Sequence, residues 1–177
     1  MIKKLLLAVA AGVAAAALTK EQEQAKLTPI IDEVQAFNDL NTWIPPASAE
    51  PYLYRLNLAE SKYGLPDNLL VRVAYQESRF RDDIVTGETV SGAGALGIMQ
   101  IVPRYHPDID PLNVSEAIDY AGRYLASLKR STGSWPMALA AYNWGIGNLQ
   151  RKGFSAAPEE TRSYVANISG DVLGGYA

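Results

Sequence analysis

From Glu50 onward one pattern recurs: apolar residues stand three and four apart, punctuated by Gly, Pro and Ser. That spacing puts apolar side chains on one face of a helix. Alternation with a period of two, the mark of a half-buried strand, is absent or short. The chain is therefore expected to be all-α, a series of helices joined by short loops, and residues 50–177 are enough for one core.

Local signals place the helices. Residues 51–63 carry Leu53, Leu56 and Ala59 on one side, and Gly64 is a stop. A second helix is expected over 66–80. Ser115 is a candidate cap for a third, with Ile118, Ala121, Gly122, Leu125 and Leu128 on one face, Lys129 and Arg130 in its last turn, and Gly133 after it. Ser134-Trp135-Pro136 opens a fourth, and Pro158 a fifth that contains Tyr164, Val165 and Ile168. Thr86-Gly87-Glu88 reads as a turn inside a long loop over 81–90.

The N-terminal part has another character. Lys3-Lys4 precedes an apolar run from Leu5 to Leu18, with small residues at Ala14 to Ala17. Fourteen residues are short of the roughly 20 a membrane-spanning helix needs and within the length of an export-signal core. No polar face exists to make the run an amphipathic helix of the folded domain. Residues 1–19 are read as a signal peptide or, if uncleaved, a weak anchor that associates with the membrane through residues 5–18. Residues 20–49 read as a helical and linker segment. Thr28-Pro29 resembles a helix start, Ile30, Ile31, Val34 and Phe37 follow at helical spacing, and Pro45-Pro46 opens a linker.

Composition removes several classes of function. A net charge of −3, with no Lys/Arg cluster, argues against nucleic acid as a partner. The chain has no cysteine, hence no disulfide framework or thiolate chemistry. One histidine, His106, cannot build a multi-histidine metal site, and its Tyr-His-Pro setting reads as an exposed loop. No metal or cofactor is expected.

One residue breaks the apolar pattern. Leu70, Val73, Ala74 and Glu77 fall at i, i+3, i+4 and i+7, so a carboxylate occupies the fourth place of an apolar stripe. It also lies near a helix C-terminus, where the dipole opposes negative charge. Both effects raise a carboxyl pKa, and a carboxyl protonated near neutrality can donate to a leaving group. The helix alone is read more simply as carrying a glutamate that turns outward at its end.

Further residues bear on that choice. Glu77-Ser78, Gly97-Ile98-Met99-Gln100, Ala141-Tyr142-Asn143-Trp144-Gly145, and Glu160-Thr161 with Tyr164 occur in that order. The sequence from about Tyr52 to Ile168 thereby resembles the catalytic domain of the soluble lytic transglycosylases, in glycoside hydrolase family 23. Ile98 stands where leucine is usual, and Trp144 where a small residue is common.

The resemblance implies a lysozyme-like catalytic domain over 50–177 and peptidoglycan as substrate. It implies that Glu77 protonates the bond between N-acetylmuramic acid and N-acetylglucosamine, then takes a proton from the sugar's C6 hydroxyl to close a 1,6-anhydro ring. Ser78 would hold Glu77 or substrate, Gln100 would bond sugar substituents, and Met99 beside Gly97 would form an apolar wall. Asn143 would bind the N-acetyl region, Tyr142 would line the site, and Tyr164 would reach Glu77. Asp82 and Asp83 read as a solvated loop pair. A periplasmic or membrane-anchored enzyme facing the cell wall fits, as does a phage lysis or virion component.

The reading of residues 1–19 generates a test. In fractionated cells expressing the full chain, the protein is expected across or in the cytoplasmic membrane, with N-terminal sequencing separating cleavage from retention. An intact chain found wholly in the cytosol overturns the export reading.

Overall fold

The computed structural model describes residues 43–174. The expectations for residues 1–42, both the apolar run and the helix after Thr28, lie outside the described residues. Among the described residues no helix is long and apolar enough to cross a membrane.

Seven α-helices are described: α1 (Glu50–Tyr63), α2 (Leu69–Ser78), α3 (Asp82–Val85), α4 (Val114–Thr132), α5 (Trp135–Trp144), α6 (Ile146–Lys152) and α7 (Glu159–Val172). Short 3-10 turns cover Ala47–Ala49 and Phe154–Ala156. Among the described residues, the one pairing of extended backbone is an isolated antiparallel bridge between Leu96 and Ile101.

Helix α5 forms the centre. Ala138, Leu139, Ala140 and Ala141 are all fully buried, because small side chains let α4 and α7 approach it closely. Helix α1 packs against α4, and α2 packs against both α1 and α7. Leu56 of α1, Leu69, Leu70, Val71, Val73 and Ala74 of α2, Ile118 and Leu125 of α4, and Val165 and Ile168 of α7 fill one core. Fully burying a side chain of this size stabilises the fold by about 1.5–3 kcal/mol.

Helix ends follow local chemistry, with two departures from expectation. Gly64 and Gly133 end α1 and α4 at φ 67° and 87°, where a side chain would be strained. The Ser134 hydroxyl accepts from Met137 N–H and starts α5. Helix α4, however, is capped by Asn113, whose side-chain oxygen accepts from Glu116 N–H at 3.2 Å, two residues before Ser115. Asn113 holds extended backbone, as an N-cap must, while Ser115 is already helical.

Helix α2 is shorter than 66–80 at both ends. Asn68 adopts φ 64° before its first turn, and Arg79 and Phe80 both take φ 54° after its last. The buried Ser78 hydroxyl holds that exit: it donates to Ala74 O at 3.0 Å and accepts from Phe80 N–H at 3.2 Å. Inside the 81–90 loop, α3 is too short to show periodicity. Asp83 organises it, accepting from the Arg81 guanidinium, the Thr89 hydroxyl and Thr89 N–H through its carboxylate and backbone.

The loop from Gly97 to Gln100 closes against the segment before α4. Gly97 has φ 72°, and a Cβ there would lie 2.0 Å from the Pro111 carbonyl oxygen. Backbone meets backbone at this point, so no side-chain rotation relieves the clash. Gly97→Ala is expected to cost more than about 2 kcal/mol in urea denaturation, combining a left-handed φ with a forced displacement of the 110–112 segment. A variant as stable as the parent would show that this contact is not fixed.

Candidate active site

Glu77 stands in the last turn of α2, partly buried, and faces α7. The Tyr164 hydroxyl donates to Glu77 Oε1 at 2.7 Å. Burial pushes the Glu77 carboxyl up to about 7, the charge of Glu160 adds to the rise, and the Tyr164 hydrogen bond opposes it. Near neutral pH the group can therefore hold or release a proton.

The contact depends on how α2 and α7 are joined. Arg72, one and a half turns before Glu77, is buried, and its Nε donates to Asp171 Oδ2 at 2.6 Å. Its Nη1 also donates to Gln76 Oε1 at 3.0 Å. The guanidinium lies 5.5 Å from the ring centroids of both Trp43 and Tyr75. A buried cation of this kind is costly to leave unpaired. It fixes the helix that carries Tyr164 against the one that carries Glu77.

Two loops and α5 complete the surroundings. Tyr142 of α5 donates its hydroxyl to Met99 O at 3.0 Å. Burial raises the pKa of both Tyr142 and Tyr164, and the Glu77 charge raises each further. Both phenols thus stay neutral donors. Asn143 Oδ1 accepts from the Thr161 hydroxyl at 2.7 Å, which orients its amide. Gln100, at φ 47°, folds back so that its backbone N–H and Nε2 both donate to Gly97 O at 3.1 Å.

The residues expected at the site fall into two groups. Glu77, Gln100, Tyr142 and Asn143 are partly exposed. Ser78 and Met99 are fully buried, and Gly97 and Tyr164 are buried too. Ser78 spends its hydroxyl on Ala74 and Phe80, so it holds the turn behind Glu77 and does not present that hydroxyl to a ligand. Met99 contributes its backbone carbonyl to Tyr142 and packs its side chain into the core.

The partners of three groups were not legible in the sequence. Arg72 and Asp171 are 99 positions apart, and no local pattern joins them. Thr161 stood in a motif without a partner. His106 is half-buried: its ring meets Tyr120 and Tyr124 edge-on at 5.3 and 5.5 Å, its Nδ1 bonds the Tyr120 hydroxyl, and burial lowers its pKa. Tyr120 stacks on Tyr124, which lies 6.0 Å from Tyr142. A row of aromatic rings thus runs from the loop after Gln100 to the neighbourhood of Glu77.

A family model described as the transglycosylase SLT domain matches residues 56–165. The chain belongs to this family. The match spans Glu77, the Gly97–Gln100 loop, Tyr142, Asn143 and Tyr164. It accords with the all-α, lysozyme-like architecture of the described residues. An SLT domain carries lytic transglycosylase-type activity on peptidoglycan, and its place of action is the cell wall.

Tyr164 is the polar contact whose removal isolates Glu77. In Tyr164→Phe the ring still fills its place between α2 and α7, but the hydrogen bond that favours the ionised carboxyl is gone. The Glu77 pKa therefore rises further, and the alkaline limb of the pH–activity profile moves to higher pH. The maximal rate is expected to fall with little change in Tm. An unmoved limb would show that the hydroxyl does not act on the titrating group.

Proposed function

We propose that this SLT domain cleaves the β-1,4 bond between N-acetylmuramic acid and N-acetylglucosamine without water. Glu77 serves as acid and then as base. Its proton passes to the glycosidic oxygen as the C1–O bond breaks. The C6 hydroxyl of the muramyl residue then bonds to C1, and its proton returns to Glu77. The products are a free N-acetylglucosamine 4-hydroxyl and a 1,6-anhydromuramic acid end, with the carboxyl restored.

One observation carries this reading: a single carboxyl, pushed up to about 7 by burial, accepts a hydrogen bond from a buried tyrosine. It is poised to lose and regain one proton near neutrality. Asn143, oriented by Thr161, presents its amide to the N-acetyl region. Gln100 contacts sugar substituents, Tyr142 lines the cleft, and Ser78, Gly97 and Met99 shape it from behind. Asp83 is taken up by Arg81 and Thr89, which keep its pKa low. That pairing suits a loop brace better than a second catalytic carboxylate. No cofactor or metal enters the scheme.

The nearness of Glu160 supports a second reading. Its charge is felt at Glu77, and hydrolytic glycosidases work with two carboxylates. In that case Glu160 would activate water, and the product would be a reducing muramic acid. The substrate lies outside the cytoplasmic membrane, so an exported enzyme that remodels the wall and a phage enzyme that breaches it both fit.

Glu77→Gln is nearly isosteric and cannot shuttle a proton. It is expected to bind glycan strands while losing turnover by a factor of about 10²–10⁴ or more. Mass spectrometry of digested sacculi is expected to show 1,6-anhydromuramic acid ends. Borohydride-reducible muramic acid as the main product would establish the hydrolytic reading instead.

A further inference from the structure

The start of α2 has no cap of its own. Asn68, the residue before the helix, sits at φ 64° and makes no side-chain capping bond. The free N–H groups are met from another helix. Glu60, in the last turn of α1 and only 4% exposed, accepts from Asn68 N–H through Oε2 at 3.0 Å. Its Oε1 accepts from Leu70 N–H at 2.7 Å and Val71 N–H at 3.2 Å. The Glu60 backbone carbonyl meanwhile accepts from the N–H groups of Gly64 and Leu65. One residue thus ties the end of α1, the turn after it and the first turn of α2.

This is a costly way to cap a helix. An exposed Ser or Asp at the N-cap would satisfy such donors with far less desolvation. Burial pushes the Glu60 carboxyl up to about 7 even against three N–H bonds, with the Asp67 charge adding to the rise. What an exposed cap would not supply is a rigid link to the neighbouring helix.

We infer that Glu60 is a positioning residue for the cleavage reaction, fixing α2 along its own axis and so setting how far Glu77 projects at the other end. The inference rests on the proposed role of Glu77 as the acid. The Arg72–Asp171 pair holds α2 sideways against α7, and apolar packing holds it against α1. Neither opposes a shift along the axis as directly as bonds to the terminal N–H groups, which point along it. A helix of this length behaves as a rod with a rise of about 1.5 Å per residue. Displacement at Leu70 therefore reaches Glu77 undiminished, and a misplacement of about 1 Å at a reacting group can cost about 10²-fold in rate.

The test compares Glu60→Asp, Glu60→Gln and Glu60→Ala in the full chain, assayed on soluble uncross-linked glycan strands well below each variant's Tm. Aspartate keeps the charge and loses one methylene of reach. Glutamine keeps the reach and can still accept from Leu70 and Val71. The expected result is a kcat about tenfold lower for Glu60→Asp, with KM unchanged within about twofold, and a higher kcat for Glu60→Gln than for Glu60→Asp. Lower Tm with parental kcat in both variants would reduce Glu60 to a structural cap and overturn the inference. So would a kcat for Glu60→Asp above that of Glu60→Gln, since charge and not reach would then matter. If Glu60→Ala does not fold, the other two still decide. Glu77→Gln run in parallel separates the two proposals: turnover by that variant removes the acid assignment, whatever the order at Glu60.

Discussion

A carboxyl partly buried at the C-terminal end of a helix is the constraint around which the described structure is organised. Burial and the helix dipole both disfavour its charged form. A lone glutamate in that position relaxes by turning toward water. Here Glu77 does not, because Tyr164 reaches it from α7 with a hydroxyl that is itself buried. That contact requires α7 to lie close along α2. The approach in turn depends on the alanine-rich α5 beneath α7 and on the Arg72–Asp171 pair at its flank.

Three of the polar groups buried around α2 share one feature: each joins segments that apolar packing alone would leave free to shift. Glu60 links α1 to the start of α2, Arg72 links α2 to α7, and Thr161 links α7 to Asn143 of α5. Buried polar and ionic groups of this kind are weak sources of net stability, since desolvation offsets most of their attraction. Their effect is geometric. A site that transfers protons is sensitive to errors well under 1 Å, roughly the tolerance that packed side chains and their hydrogen bonds together can hold. The Gly97 contact with Pro111 acts in the same sense on the loop, where it leaves no room for even a methyl group.

What could be read from the sequence was what short-range chemistry determines. The helix stops at Gly64 and Gly133 and the Ser134 cap depend on residues within one turn, and each is where local rules place it. The stripe through Leu70, Val73 and Ala74 is buried and marked the odd position of Glu77, but Leu69, Val71 and Arg72 beside it are buried as well, so the pattern understated how far α2 is enclosed. Where two local signals competed, local rules were insufficient. Asn113 and Ser115 are both good caps, and the choice fell to the one whose backbone could stay extended. The ends of α2 were misjudged because their determinants are remote or unusual: Glu60 acts from the preceding helix, and Arg79 and Phe80 take left-handed angles that their side chains do not suggest. His106 was read as an exposed loop residue because nothing in Tyr-His-Pro announces that Tyr120 and Tyr124 lie beside it.

In the proposed reaction one carboxyl must serve twice, and the two duties make opposite demands. It must begin protonated, which burial and the Glu160 charge favour. Once it has given up its proton it must persist as a carboxylate until the C6 hydroxyl is in place, which the Tyr164 hydrogen bond favours. With burial alone the pKa would stand higher, and proton donation would be slow. In an exposed site with a hydroxyl partner it would stay in the ordinary carboxylate range, and the acid form would be scarce at neutral pH. A value of about 7 is the point at which neither step is starved of the form it needs. Ordinary glycosidases reach the same end by dividing the duties between two carboxylates in different environments. Here two opposing influences on one residue would replace that division, so Tyr164 belongs to the acid–base system as much as to the packing of α7.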